Sequence, residues 1–193
     1  MWENLVLYKG KNYIFIIQFR FLEDDFDLLK LATITVDNFF QCVQLSDGSV
    51  LKLRLLDTAG QERFNSINES YYKQADCCLL VYDITDKKSF ESVKNYYVPK
   101  IEECCDKILK VVLLGNKADL KDQRQVEDIE GRDLALEKKY IFMESSCKDN
   151  YNVADAFTAL VEMTNIELKK VNKTQTIKIK KDNKKNKKKN KCC

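Results

Sequence analysis

Residues 57–64 read Asp-Thr-Ala-Gly-Gln-Glu-Arg-Phe, and they directly follow the run Val-Leu-Lys-Leu-Arg-Leu-Leu at 50–56. In that run leucines alternate with Lys52 and Arg54, a period of two that predicts a strand with one buried and one wet face. The carboxylate of Asp57 therefore stands at the C-terminal end of a strand, where open α/β sheets bind their ligands. An Asp-x-x-Gly sequence on its own is most simply a turn, so the rest of the chain decides what it means.

The composition limits the chemistry that is available. A chain of 193 residues is long enough for one domain with a well-buried core and too short for two domains of ordinary size. Histidine is absent, which removes the commonest general base and metal ligand. None of the eight cysteines has the C-x-x-C spacing of a zinc or redox site. The apolar stretch 13–19 is too short to span a bilayer, so we expect a cytosolic chain with reduced thiols.

The charge is divided unevenly along the chain. From Lys169 to the end there are twelve lysines and one acid, Asp182, so of the net charge of +3 this tail carries +11 and the remaining residues carry −8. An acidic body argues against a surface that grips nucleic acid. The tail has few apolar residues and is predicted to be disordered.

Strand-like and helix-like patterns alternate along the chain. Residues 4–8 are a candidate short strand, residues 13–17 are either another strand or the start of a helix, and Thr85 or Asp86 is a candidate helix cap. Pro99, the only proline, predicts a kink or an early stop in its helix. Strands are predicted at 39–45, 51–56, 77–82, 111–114 and 141–144, with helices near 90–101, 126–139 and 153–170. This alternation predicts an α/β fold with one doubly wound, mostly parallel sheet and helices on both faces.

Three loops that follow predicted strands carry polar residues, namely 57–61, 116–119 and 145–148, and such a sheet brings them to one edge. The second loop reads Asn-Lys-Ala-Asp. Its Asp119 carboxylate can accept hydrogen bonds from N1–H and the 2-amino group of guanine, and adenine lacks both donors. An unpaired buried carboxylate is costly, so the pattern predicts a guanine-specific site. The stem of Lys117 can lie along the base plane.

The chain resembles the small GTPases of the Ras superfamily, and most closely the Rab family. The resemblance covers roughly residues 19–170. It rests on the runs 55–64, 71–72, 80–85, 115–120 and 144–148, and on the terminal Cys192-Cys193.

The resemblance implies roles for individual residues, with GTP or GDP and Mg²⁺ as ligands. Asp57 would hold Mg²⁺ through water, and Thr33 would contact the ion and the γ-phosphate. Gly60 would sense the γ-phosphate, and Gln61 would be the catalytic residue that orients the attacking water. The remaining nucleotide-binding residues would be Asn116, Lys117, Asp119, Ser146, Cys147 and Lys148.

The family's phosphate loop, Gly-x-x-x-x-Gly-Lys-Ser/Thr, is missing from the sequence. The only upstream Gly-Lys pair, Gly10-Lys11, is followed by Asn12, and Leu5 stands where the first glycine belongs. About three charge-assisted bonds of ~1.5–3 kcal/mol each would be lost, which corresponds to roughly 10³–10⁶ in affinity. This predicts weak GTP binding and little hydrolysis. We therefore predict an atypical segment 1–18 in place of strand 1 and the phosphate loop, a GTPase-like domain at 19–171, and the tail at 172–193.

Two functions follow from these features. The first is a Rab-like switch in vesicle traffic, anchored at the cytoplasmic face of intracellular membranes by geranylgeranyl groups on Cys192 and Cys193, and cycling with the cytosol. Its partners would be effectors, an exchange factor, a GAP and escort or GDI-type proteins. The alternative is a nucleotide-weak pseudo-GTPase, or a truncated version of a GTPase, that serves only as a membrane-tethered interaction module. A third interpretation, in which the lysine tail is a nuclear signal, conflicts with the acidic body and the terminal cysteines.

Overall fold

The structure is a computed structural model that describes part of the chain. The described residues are 2–9, 37–45, 47–48, 50–57, 73, 75–104 and 109–164. The candidate strand at 13–17 and the tail from 172 onward lie outside them. Among the described residues no helix has the length and hydropathy that a membrane span requires.

In the described part of the chain, six strands form one sheet in the order β2–β3–β1–β4–β5–β6. Only the β2–β3 pair is antiparallel. The strands are β1 (Trp2–Lys9), β2 (Asp37–Gln44), β3 (Val50–Asp57), β4 (Cys77–Asp83), β5 (Lys110–Asn116) and β6 (Ile141–Ser145). The predicted α/β class with a mostly parallel sheet is confirmed.

The candidate strand at 4–8 is part of β1, which lies in the middle of the sheet. It pairs with β3 on one side and β4 on the other. The boundary at residue 18 between an atypical segment and the domain stays a prediction.

A hairpin joins β2 and β3. Its turn contains Gly48 with φ of 78°, a left-handed conformation that favours glycine. The Gly48 N–H donates to the carbonyl of Leu45 at 2.9 Å. The antiparallel register then sets Asp37 opposite Asp57.

Every residue of β4 is buried, as its continuous apolar sequence predicts. Alternate residues of the strand point into two separate cores. One core contains Leu80 and Tyr82 and is covered by the helices before and after β5. The other contains Leu79 and Val81 and is covered by the helical residues 153–164, which form α4. Helices on both faces make the sheet doubly wound.

Pro99 does not end its helix. The helical segment begins with α1 (Lys87–Ser92), which Asp86 caps by accepting from the N–H of Lys88. It passes through a π-helical turn (Val93–Tyr97) and continues as α2 (Val98–Cys104). In the π-helical turn the N–H of Val98 bonds five residues back, to the carbonyl of Val93. This local change of hydrogen-bond register just before the proline accommodates its missing N–H, so the early stop was wrong.

After β5 a short 3₁₀ helix (Lys121–Gln123) leads to α3 (Asp128–Lys138). The helix begins two residues later than predicted because Glu127 is its N-cap, and the Glu127 N–H donates to Oε1 of Glu130 at 3.0 Å. It ends at Lys138, and the C-cap residue Lys139 adopts a left-handed conformation with φ of 59°.

Candidate functional site

The carboxyl ends of four strands meet at one edge of the sheet. In the register of the sheet Asp83 of β4 lies beside Asn116 of β5, which lies beside Ser145 of β6. Asp57 ends β3 at the same edge, level with Leu7 of β1. The loops at 116–119 and 145–148 therefore come together as the topology predicts.

Asn116 ties these two loops together. It is buried, and its Oδ1 accepts from the Ser145 hydroxyl and from the Cys147 thiol, both at 3.4 Å. The backbones are also joined, since the Ala118 N–H donates to the Ser145 carbonyl at 2.9 Å. Through these contacts Asn116 connects the loops 116–119 and 145–148.

Asp119 has a fixed orientation. Its Oδ1 accepts from the Ser146 hydroxyl at 2.7 Å, and the Ser146 oxygen in turn accepts from the N–H of Asp149 at 3.1 Å. Ser146 and Tyr151 exchange backbone hydrogen bonds of 3.0 and 2.9 Å, which close the loop that exposes Lys148. Asp119 and Ser146 also border a cleft of about 790 Å³ that is lined mainly by residues of α3, β6 and the loop 149–152, and Asn116, Lys117, Cys147 and Lys148 are not part of its lining.

Lys117 has an unusual backbone. Its φ is 68°, a conformation that non-glycine residues adopt rarely and that often occurs at functional sites. Its Nζ lies 2.8 Å from Oδ2 of Asp83, whose side chain is 1% exposed. Lys117 is thus held at the same sheet edge as Asp119.

Two acidic residues at this edge were missed by sequence reasoning. One is Asp83, which the rule applied to Asp57 (a carboxylate directly after a buried strand) would have found. The other is Glu144, which forms a bidentate ion pair with Arg124 at 2.7 and 2.9 Å. The hydrogen bonds from Arg124 to Glu144 raise the pKa of the guanidinium. No local pattern indicates this pair, because its members lie 20 residues apart.

The other predicted site residues cannot be placed. Thr33, Gly60, Gln61, Cys192 and Cys193 lie outside the described residues, and so does the side chain of Asp57. Among the described residues no three Cys, Asp or Glu side chains are grouped as a protein-built metal site would require.

Comparison with known proteins identifies the family. Residues 10–166 match the model of the Ras family. The chain is 44% identical to Ras-related protein Rab-8A of Bos taurus over 144 residues, which is 75% of this chain and 69% of the relative. It is 43% identical to Ras-related protein Rab-8B of Homo sapiens over 142 residues, 74% of this chain and 68% of the relative. The chain therefore belongs to the Ras superfamily of small GTPases, as a member of the Rab family.

Proposed function

We propose that this protein is a Rab-type molecular switch that binds GTP and GDP and acts in vesicle traffic at intracellular membranes. The observation that carries the proposal is the 2.7 Å hydrogen bond from the Ser146 hydroxyl to Asp119, which orients the carboxylate. A carboxylate held in one orientation is pre-organised for a planar partner with two adjacent N–H donors. Guanine is such a partner.

The neighbouring residues fit the same base. Asn116 holds the loops 116–119 and 145–148, here called the base loops, at a fixed separation through its contacts with Ser145 and Cys147. The stem of Lys117 would lie on one face of the purine, and the backbone N–H groups of Ser146, Cys147 and Lys148 would complete the pocket. Adenine would offer neither donor to Asp119, and the cost of covering a carboxylate with a base that does not hydrogen-bond to it would exclude adenine.

Mg²⁺, when bound, neutralises charge on the phosphates. Asp57 ends β3 at the correct sheet edge, so its carboxylate would hold the ion through water, with Thr33 as a second contact. Mg²⁺ commonly takes one or two protein oxygens, the rest coming from water and substrate phosphates. Asp57 and Thr33 would supply that small number of protein oxygens. Gln61 would orient the attacking water, and Gly60 would contact the γ-phosphate.

Membrane attachment would come from the tail. Prenyl groups on Cys192 and Cys193 would supply two hydrophobic anchors, and the tail lysines would be attracted to an anionic cytoplasmic leaflet. Effectors, an exchange factor, a GAP and escort or GDI-type proteins complete the proposed cycle.

The test is binding of a ribose-labelled fluorescent GDP analogue to the full chain in the presence of Mg²⁺. We expect saturable binding by the wild type and loss of GDP binding in Asp119→Asn, with a gain of xanthosine diphosphate binding. An amide can accept from N1–H of xanthine and donate to its 2-oxo group. Asp133→Asn, an exposed acid on α3, is the matched charge control. No binding by the folded wild type up to millimolar nucleotide would contradict the proposal and favour the nucleotide-weak interaction module.

A further inference from the structure

Asp83 is a buried carboxylate with well-defined partners. Its Oδ1 accepts from the N–H of Thr85 at 2.8 Å and from the Thr85 hydroxyl at 2.7 Å. Its Oδ2 contacts the ammonium group of Lys117 at 2.8 Å. A buried charge is costly unless it is paired and hydrogen-bonded, and this set of donors meets that requirement.

Lys117 is fixed at both ends of its side chain. At the backbone end, φ is 68° and the Lys117 carbonyl accepts from the N–H of Leu120 at 2.9 Å, which defines the turn. At the other end, the ammonium group contacts Asp83. The Lys117 side chain as a whole is 34% exposed, so it retains surface that a ligand can cover.

We propose that Asp83 is the positioning residue for Lys117. It holds the ammonium group so that the methylene stem is presented to the face of the purine before a nucleotide arrives. This inference rests on the proposed function. Lysine has among the largest side-chain conformational entropies, so an already ordered stem lowers the entropic cost of binding.

The carboxylate can be tested separately from the structural role of the Asp83 backbone. The Asp83 N–H donates to the Ser89 hydroxyl oxygen at 2.9 Å, and the Asp83 carbonyl accepts from that hydroxyl at 3.2 Å. Asp83→Asn leaves these bonds intact and keeps Oδ1 as an acceptor for Thr85. It replaces the acceptor that faces Lys117 with an amide donor. Lys117 is partly exposed and can then turn to water, so the variant is expected to fold.

The experiment is a double-mutant cycle in the full chain, read out with the fluorescent GDP analogue. We expect Asp83→Asn to weaken binding about ten-fold, mainly through faster dissociation. Lys117→Met should weaken it at least as much, and the double variant should bind like Lys117→Met alone. The ratio of the affinities for guanosine diphosphate and inosine diphosphate should stay constant. Asp119, which would bind the N1–H and the 2-amino group of the base, is unchanged in these variants. Asp133→Asn serves as the charge control.

A second pair of variants guards against misfolding of Asp83→Asn. Thr85→Val removes one donor to Oδ1 and is expected to weaken binding about three-fold, whereas Thr85→Ser, which keeps the hydroxyl, should restore wild-type affinity. Wild-type affinity in Asp83→Asn, or an equal further loss when it is added to Lys117→Met, would overturn this inference while leaving the proposed function intact. Absence of binding by the wild type would overturn both.

Discussion

Arg124 and Glu144 form a bidentate ion pair, with Nη1–Oε1 and Nη2–Oε2 distances of 2.7 and 2.9 Å. Arg124 also donates to the carbonyl of Val126 at 2.9 Å. Arg124 follows the loop 116–119, and Glu144 lies on the strand that leads into the loop 145–148. The pair therefore connects the two base loops from outside the site, in addition to the connection that Asn116 makes within it.

Glu144→Gln is expected to reduce the free energy of unfolding by about 1–3 kcal/mol, because it breaks charge-assisted bonds between side chains that are mostly buried. Thermal unfolding should show a midpoint lower by roughly 2–4 °C per kcal/mol. Glu137→Gln, on the exposed face of α3, is the control and should stay within about 0.5 kcal/mol of the wild type. An equally small effect of Glu144→Gln would show that the pair contributes little to stability.

The extent to which the sequence predicts the fold follows from the range of each interaction. The alternation in β3 and the apolar run of β4 are local signals, so these two strands were predicted closely. The Lys117–Asp83 and Arg124–Glu144 pairs depend on how distant segments meet, and no short pattern encodes them. Of the two outcomes predicted for Pro99, the early stop was wrong because the presence of a proline does not reveal the π-helical turn that precedes it.

The pH dependence of stability should include a contribution from Glu130. Its Oε2 pairs with Lys87 and its Oε1 accepts from the N–H of Glu127, and these bonds hold its pKa below the ordinary value of 4.5. A carboxyl group with a lowered folded-state pKa adds stability above pH 4.5, and that stability is lost as the pH falls through the folded-state pKa.

Glu130→Gln should therefore be slightly less stable than the wild type at pH 7, by up to about 0.5 kcal/mol, because the ion pair with Lys87 is partly exposed. The difference should shrink as the pH falls below 4.5 and through the folded-state pKa of Glu130. Glu130→Ala also loses the bond to the N-cap residue, so it should cost about 1 kcal/mol in total. Urea unfolding between pH 3 and 7 measures both. If the difference in free energy of unfolding between Glu130→Gln and the wild type stayed constant across this pH range, the lowered pKa assigned to Glu130 would be contradicted.

Gly131 lets α3 approach the sheet closely. A Cβ at this position would lie 2.6 Å from the Tyr82 hydroxyl oxygen and would collide with the ring of Phe142. Gly131→Ala should therefore destabilise the protein by about 1–3 kcal/mol through overpacking, although alanine is the better helix former by about 1 kcal/mol. Asp133→Ala on the same helix is the control. A higher unfolding midpoint for Gly131→Ala would show that the helix can move outward at little cost.

Tyr82 carries a buried hydroxyl that has no hydrogen-bond partner among the described residues. Its burial raises the pKa of the phenol. Tyr82→Phe removes a polar atom that makes no hydrogen bond to the part of the chain that the structure describes, so we expect the free energy of unfolding to stay the same or to rise by up to about 1 kcal/mol. Chemical denaturation is the measurement. A loss of more than 1 kcal/mol would mean that the hydroxyl has a partner, such as an internal water.

The membrane proposal depends on the last two residues. Cys192→Ser with Cys193→Ser removes both prenylation sites, and we expect the protein to move from the membrane fraction to the soluble fraction of eukaryotic cells. A single substitution leaves one prenyl chain, which gives only reversible attachment, so its distribution should be intermediate. Cys42→Ser, at an exposed position on β2, is the matched control and should leave the distribution unchanged. The lysines would contribute at most about 1 kcal/mol each on an anionic leaflet. If the double variant remained at the membrane, attachment would have to come from the lysines or from a partner protein.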